Sequence, residues 1–148
     1  MIRIHVFNTH PRYRVHRREV TLLARAVLSG ERKKQAEMNI VFLDDKDIIS
    51  LNADFLHHSH TTDVLSFTLS ESKSKILEGE VYVNLDQARR QAPRYHATIR
   101  SEVARLIVHG ILHLTGYDDG TRRQKDLMTK KENHYLQKMK YLPRKGTL

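Results

Sequence analysis

Residues 109–119 read HGILHLTGYDD, and the rest of the chain is best understood outward from this stretch. His109 and His113 stand four apart in a run of helical character, so their imidazoles leave one face of the helix a turn apart, close enough to share one metal ion. Gly116 is the residue type best suited to end that helix. It enters the left-handed conformation without a Cβ clash and lets the chain fold back over its own last turn. Asp119, three residues beyond the glycine, is carried back toward the histidine pair. Two imidazoles and a carboxylate occupy three corners of a tetrahedron and leave the fourth for water, the layout of a catalytic site and not of a structural one. With ten histidines in 148 residues, a pair at this spacing alone means little. The conjunction with Gly116, Asp119 and the apolar Val108, Ile111, Leu112 and Leu114, which dry one wall, carries the metal reading.

The length suits one domain, residues 1–148, with one core. No stretch approaches the roughly 20 apolar residues of a membrane span, and the opening MIRIHVFNTH lacks the regions of a signal peptide, so a cytoplasmic protein with no membrane partner is expected. The absence of cysteine excludes disulfides, thiolate metal sites and a cysteine nucleophile, leaving His, Asp and Glu as ligands. Charge is uneven: residues 1–35 and 121–148 each carry nine basic against two acidic side chains, whereas 36–120 carry eight against thirteen. Basic ends around an acidic middle suit a protein that grips a polyanion and acts on it at the centre; the plain alternative is a set of solvated helix faces.

Alternation of Ile2, Ile4 and Val6 with polar neighbours predicts a first strand, with His5 and His10 at the surface. Val20, Leu23, Ala24, Val27 and Leu28 form the stripe of a helix that Gly30 ends. MNIVFL, 38–43, reads as a strand buried on both faces. Asp44 or Asp45 caps a helix with Ile48, Leu51 and Phe55 inward, and Val64 to about Leu69 and GEVYVN are the next two strands. Asn84 or Asp86 starts a short helix closed by Pro93. Thr98 caps the central helix, whose buried side is lined by Ile99, Val103, Leu106, Ile107, Gly110, Ile111 and Leu114. A last helix, about 121–140, buries Leu127, Met128, Leu136 and Met139. The order implies an α/β (α+β) fold with a small mixed four-stranded sheet and about five helices. His57, His58 and His60 lie on a loop without fixed ligand geometry, so they read as solvated side chains and not as a second metal site.

At its central stretch the chain resembles the YbeY-type endoribonucleases, whose usual signature is HGxLHLxGYDH. LNADFL, TDVLSF and GEVYVN stand in the order and spacing of that family's other motifs, so the resemblance covers most of 38–120. It implies a zincin-like central helix and a zinc site formed by His109, His113 and Asp119 in a cleft. It also implies hydrolysis of single-stranded RNA around the small ribosomal subunit and its associated proteins, in maturation of the 16S rRNA 3′ end and ribosome quality control. Two positions depart from the pattern. Asp119 replaces the third histidine, a change that carboxylate–zinc chemistry tolerates and that favours harder ions. Leu56 stands where an arginine often follows the aromatic of the LNxxF stretch, so either another cation steadies phosphate or activity is weaker. Thr62, Asp63 and Ser66 either line the cleft or cap and staple their loop. Asp118 is either a partner for a histidine N–H or a turn residue.

Two other function classes compete. A metalloprotease of the extended zincin pattern needs a glutamate directly after the first histidine as general base, and this chain has Gly110 there. A ribosome- or RNA-binding assembly factor without catalysis fits the basic ends and Leu56.

Overall fold

The computed structural model describes residues 1–56 and 61–142; the side chains of Phe55 and Leu56, the histidines at 57, 58 and 60, and the tail from 143 lie outside the described residues. Element order is β1 (Ile2–Asn8), α1 (Arg17–Gly30), β2 (Ala36–Leu43), α2 (Asp45–Leu56), β3 (Val64–Thr68), β4 (Leu77–Asn84), α3 (Leu85–Gln91), a 3-10 turn (Pro93–Tyr95), α4 (Ile99–Leu114) and α5 (Arg122–Lys138). The four strands form one mixed sheet in the order β1-β2-β4-β3, with β3 antiparallel at the edge and the other pairings parallel. An α+β fold follows, with the expected order of elements. No helix among the described residues is long and apolar enough to cross a membrane.

Register shows which face is the core. Val6, Ile40, Val81 and Ser66 form one cross-strand row, with the first three buried beneath α1 and α4. One residue along, His5, Asn39, Glu80 and Phe67 form the opposite row, where Asn39 donates to Glu80 (3.1 Å) and Phe67 meets Tyr82 edge-on. The expectation that residues 38–43 are buried on both faces is therefore corrected: Asn39 and Val41 are only half-buried, because helices cover one side of this part of the sheet.

Caps agree with the local chemistry. Asp44 accepts from the Asp47 N–H to start α2, which frees Asp45 for other partners; Asn84 caps α3, and Thr98 caps α4. Three residues differ from expectation. His10 is buried, because its Nε2 pairs with Asp86 at 2.8 Å and its Nδ1 accepts from the Arg12 and Tyr13 N–H groups. Leu127 is 47% exposed and Ile99 39% exposed. Each lies in the first turns of its helix, and the buried stripe of α5 instead runs through Met128, Glu132, Tyr135 and Leu136.

α4 sits at the centre, packed against α1, α3, α5, β3 and β4. Gly110 sets how close it comes to the sheet. A Cβ there would lie 2.5 Å from Val81 Cγ1, and the Ser66 hydroxyl donates to the Gly110 carbonyl at 2.9 Å. The face of α4 that touches the sheet thus has no room for a side chain at 110.

Candidate metal centre

The neighbouring face of α4 carries His109 and His113, half-buried and one turn apart, with ring centroids 4.6 Å apart. Beyond Leu114 the helix closes in a Schellman turn: the Gly116 N–H donates to the His113 carbonyl and the Tyr117 N–H to that of Leu112, at 3.2 and 3.1 Å. Gly116 has φ +113°, and this reversal is where its missing side chain matters. The returning loop is tied down by Tyr117, whose hydroxyl donates to Glu31 Oε1 at 2.6 Å, while Lys131 and the Tyr135 hydroxyl hold the other oxygen of the same carboxylate.

Asp119 comes back to the pair on that loop. His109 Nε2 and His113 Nε2 are 3.0 Å apart, and Asp119 Oδ2 lies 3.3 and 3.5 Å from them. A tetrahedral ion with bonds of about 2.0–2.2 Å holds its ligand atoms roughly 3.3–3.6 Å apart, so the triangle fits such an ion with little adjustment. Among the described residues these three form the cluster able to hold a metal. Asp118 is exposed, and no side-chain bond joins it to either histidine among the described residues.

A second ring of groups, which the spacing of motifs does not expose, orients the first. Glu132 of α5 accepts from His109 Nδ1 at 2.7 Å, which directs the Nε2 lone pair at the cluster. Arg105 donates to the other oxygen of Glu132 at 3.0 Å. Burial works against the charged form of His109, but the hydrogen bond to Glu132 and the charges of Glu132, Asp119 and Asp63 outweigh it and raise the imidazole pKa. Gln91 links two more acids, donating to Glu102 Oε2 at 2.6 Å and to Asp63 Oδ2 at 3.2 Å. Glu102 is 2% exposed, its Oε1 makes no hydrogen bond and has only Arg105 Nε 4.0 Å away, and burial pushes its pKa up despite Gln91 and Arg105. The signal for Glu132 is present in the sequence: an acid four residues from both Met128 and Leu136 stands on the apolar stripe of its own helix.

Of the three residues expected at the cleft, Asp63 lines a recess of about 160 Å³ together with His109, Glu102 and Glu132. Thr62 gives its carbonyl to the Asn84 amide, and the Ser66 hydroxyl is engaged by Gly110. Gly110 faces the sheet, so the position of a zincin general base is filled by Val81.

Sheet and cluster define a class, α+β proteins whose central helix presents two histidines that could hold a metal together with a residue of the loop that follows. Within that class the chain belongs to the endoribonuclease YbeY family, whose model matches residues 6–140. It is 34% identical over 139 residues to the endoribonuclease YbeY of Cytophaga hutchinsonii, covering 93% of this chain and 96% of that one. It is 38% identical over 110 residues to that of Chloroherpeton thalassium, covering 74% and 77%. A solved structure from Thermotoga maritima shares the fold, with a TM-score of 0.64 at 24% identity over 92% of this chain and 88% of that one. Membership of this family implies RNA endonuclease activity.

Proposed function

We propose that residues 1–148 act as one zinc-dependent endoribonuclease unit that cuts single-stranded RNA. In this reading it works in the cytoplasm on the 16S rRNA 3′ end and in ribosome quality control, with the small ribosomal subunit and its associated proteins as partners. The observation that carries the reading is the triangle of 3.0, 3.3 and 3.5 Å among His109, His113 and Asp119. Its donor set, two imidazoles and one carboxylate, suits zinc, and the carboxylate also accepts a harder divalent ion. When bound, the ion supplies charge stabilisation at the phosphoryl oxygens and lowers the pKa of water. The chain's own groups do the rest. Glu132 and Arg105 hold His109 in one tautomer and orientation. Asp63, beside Thr62, presents a carboxylate to the recess next to His109, where a water can lose its proton, while Ser66 fixes the helix against β3.

The test combines metal analysis of the purified protein with assays on single-stranded RNA and on casein, with and without chelator. Chelator-sensitive RNA cleavage with casein intact is expected, since no side chain at 110 can act as a base for peptide hydrolysis. Proteolysis without RNA cleavage would reverse the assignment. Retained RNA or ribosome binding with no cleavage of either polymer would leave an assembly factor.

A further inference from the structure

His113 lies at the meeting of two unlike surfaces. On the His109 side the recess is walled by Asp63, Glu102 and Glu132, with Arg105 the cation there. On the other side His113 forms the inner end of a groove of about 640 Å³ between the α1–β2 turn, the β3–β4 connection and the C-terminal end of α4. Arg32, Lys33 and Lys34 line one bank and Lys75 the other, against the single acid Glu71. Gly116 forms part of the floor, and a Cβ there would meet nothing within 4 Å, so the backbone is bare.

The groove's cations are set apart by their clustering beside His113, not by lacking partners. Arg90, Arg100, Arg105 and Lys131 pair with Asp45, Glu19, Glu132 and Glu31, while other cations of the described residues, Arg122, Lys125 and Lys130 on exposed α5 included, join no ion pair. Among the described residues, Arg32, Lys33, Lys34 and Lys75 pair with no carboxylate. Three of them stand on a rigid turn. Arg32 has φ +62°, its N–H donates to the Ser29 carbonyl at 3.0 Å and that of Lys33 to Leu28 at 2.8 Å, and Glu31 before them is locked by Tyr117, Tyr135 and Lys131. A preorganised row of unneutralised cations beside a metal ligand attracts a polyanion, whereas the acidic recess repels one.

We propose that this groove is the track along which the phosphate backbone of single-stranded RNA runs to or from the metal, passing the His113 side and avoiding the His109 side. The proposal rests on the nuclease reading above and adds a direction to it. Neutralising phosphates releases counterions, so each cation that touches the backbone contributes about 0.7 to the slope of log affinity against log salt for a single strand.

The experiment measures binding of a fluorescein-labelled 2′-O-methyl oligouridylate, its length checked on a gel after each titration, to the zinc-loaded protein across a salt series. Three proteins are compared: the parent, a groove variant (Arg32→Ala, Lys34→Ala, Lys75→Ala) and a control with the same charge change on exposed α5 (Arg122→Ala, Lys125→Ala, Lys130→Ala). The groove variant should bind roughly 10- to 100-fold more weakly near 0.15 M salt, with a slope shallower by about 2 and unchanged zinc content. The control should lose only a few-fold. If the parent binds RNA and the groove variant matches it, or if both variants lose affinity equally, the track is wrong and the nuclease reading stands. If the parent neither binds nor cuts RNA, both readings fall. If the groove variant keeps RNA affinity but no longer binds polyglutamate, the groove takes an acidic protein, and the RNA track is overturned.

Discussion

His109 and His113 ride on a 16-residue helix packed on five other elements, whereas Asp119 hangs on a loop five residues past the end of that helix. The helix arm is positioned by its own hydrogen bonds, by close contact at Gly110 and by Glu132 behind His109. The loop arm is positioned by a Schellman turn and one side-chain anchor, Tyr117 on Glu31. The two arms meet within 3.5 Å, yet they lean on different residues: the helix arm on Glu132 of α5, the loop arm on Glu31 at the end of α1, which Lys131 and Tyr135 of α5 hold in turn. Damage to either arm should therefore leave a different residue of function.

The largest effect is expected from the loop arm. Asp119→Ala leaves two imidazoles, too few ligands to retain zinc, and calorimetric titration should find no stable complex. Asp119→His should bind zinc at least as tightly as the parent, because imidazole suits that ion. Asp118→Ala should change affinity by less than a 10- to 100-fold supporting-group effect, because Asp118 points to solvent. Zinc binding by Asp119→Ala equal to the parent's, with loss on His57→Ala or His60→Ala instead, would move the third ligand to the loop before β3.

How much of this is legible from the sequence follows from the range of each interaction. The helix arm and the return at Gly116 are short-range features, set by a spacing of four and a residue type, and the strand and helix order follows from periodicity in the same way. Pairings across the fold carry no such local mark. His10 reads as a surface residue because its partner, Asp86, is distant in the chain. The pairing of Tyr117 with Glu31 likewise joins residues 86 apart, with nothing between them to announce it. Glu132 is intermediate: its place on the Met128–Leu136 stripe marks it as buried, but only the packing of α5 on α4 shows that it faces His109. Residues 38–43 are misjudged on one face because composition cannot tell a strand covered on both sides from one whose outer row carries Asn39 beside Glu80.

A smaller effect is expected from the helix arm. Glu132→Gln keeps the size of the side chain but removes the charge that favours an N–H at Nδ1 of His109, and it weakens the hold of Arg105. Zinc affinity should fall about 10- to 100-fold, with the fold and the His113 side intact. Because the pKa of His109 is raised and zinc requires the neutral ring, parent affinity should drop as pH falls through the imidazole range. Glu132→Gln should shift that drop to lower pH, since the partner that favours the charged ring is gone. An unchanged pH profile in the variant would remove Glu132 from the account of the site.

The smallest effect concerns Glu102, two turns before His109 on the same helix. Its Oε1 is buried without a hydrogen bond, Arg105 Nε being 4.0 Å away, and burial raises its pKa above the ordinary 4.5. For an acid whose folded pKa is raised, the unfolded chain releases its proton first, so stability is full below about the ordinary value and is lost as pH rises toward the folded pKa. Glu102→Gln can still accept from Gln91 through its amide oxygen and carries no charge to bury. The variant should match the parent near pH 4 and exceed it by about 1 kcal/mol at neutral pH, a gain of a few degrees in melting temperature. Thermal unfolding of metal-free parent and variant between pH 4 and 8 reads this directly. A difference that stays constant with pH would mean that Glu102 exchanges no proton on folding and that its burial does not make the helix pH-sensitive.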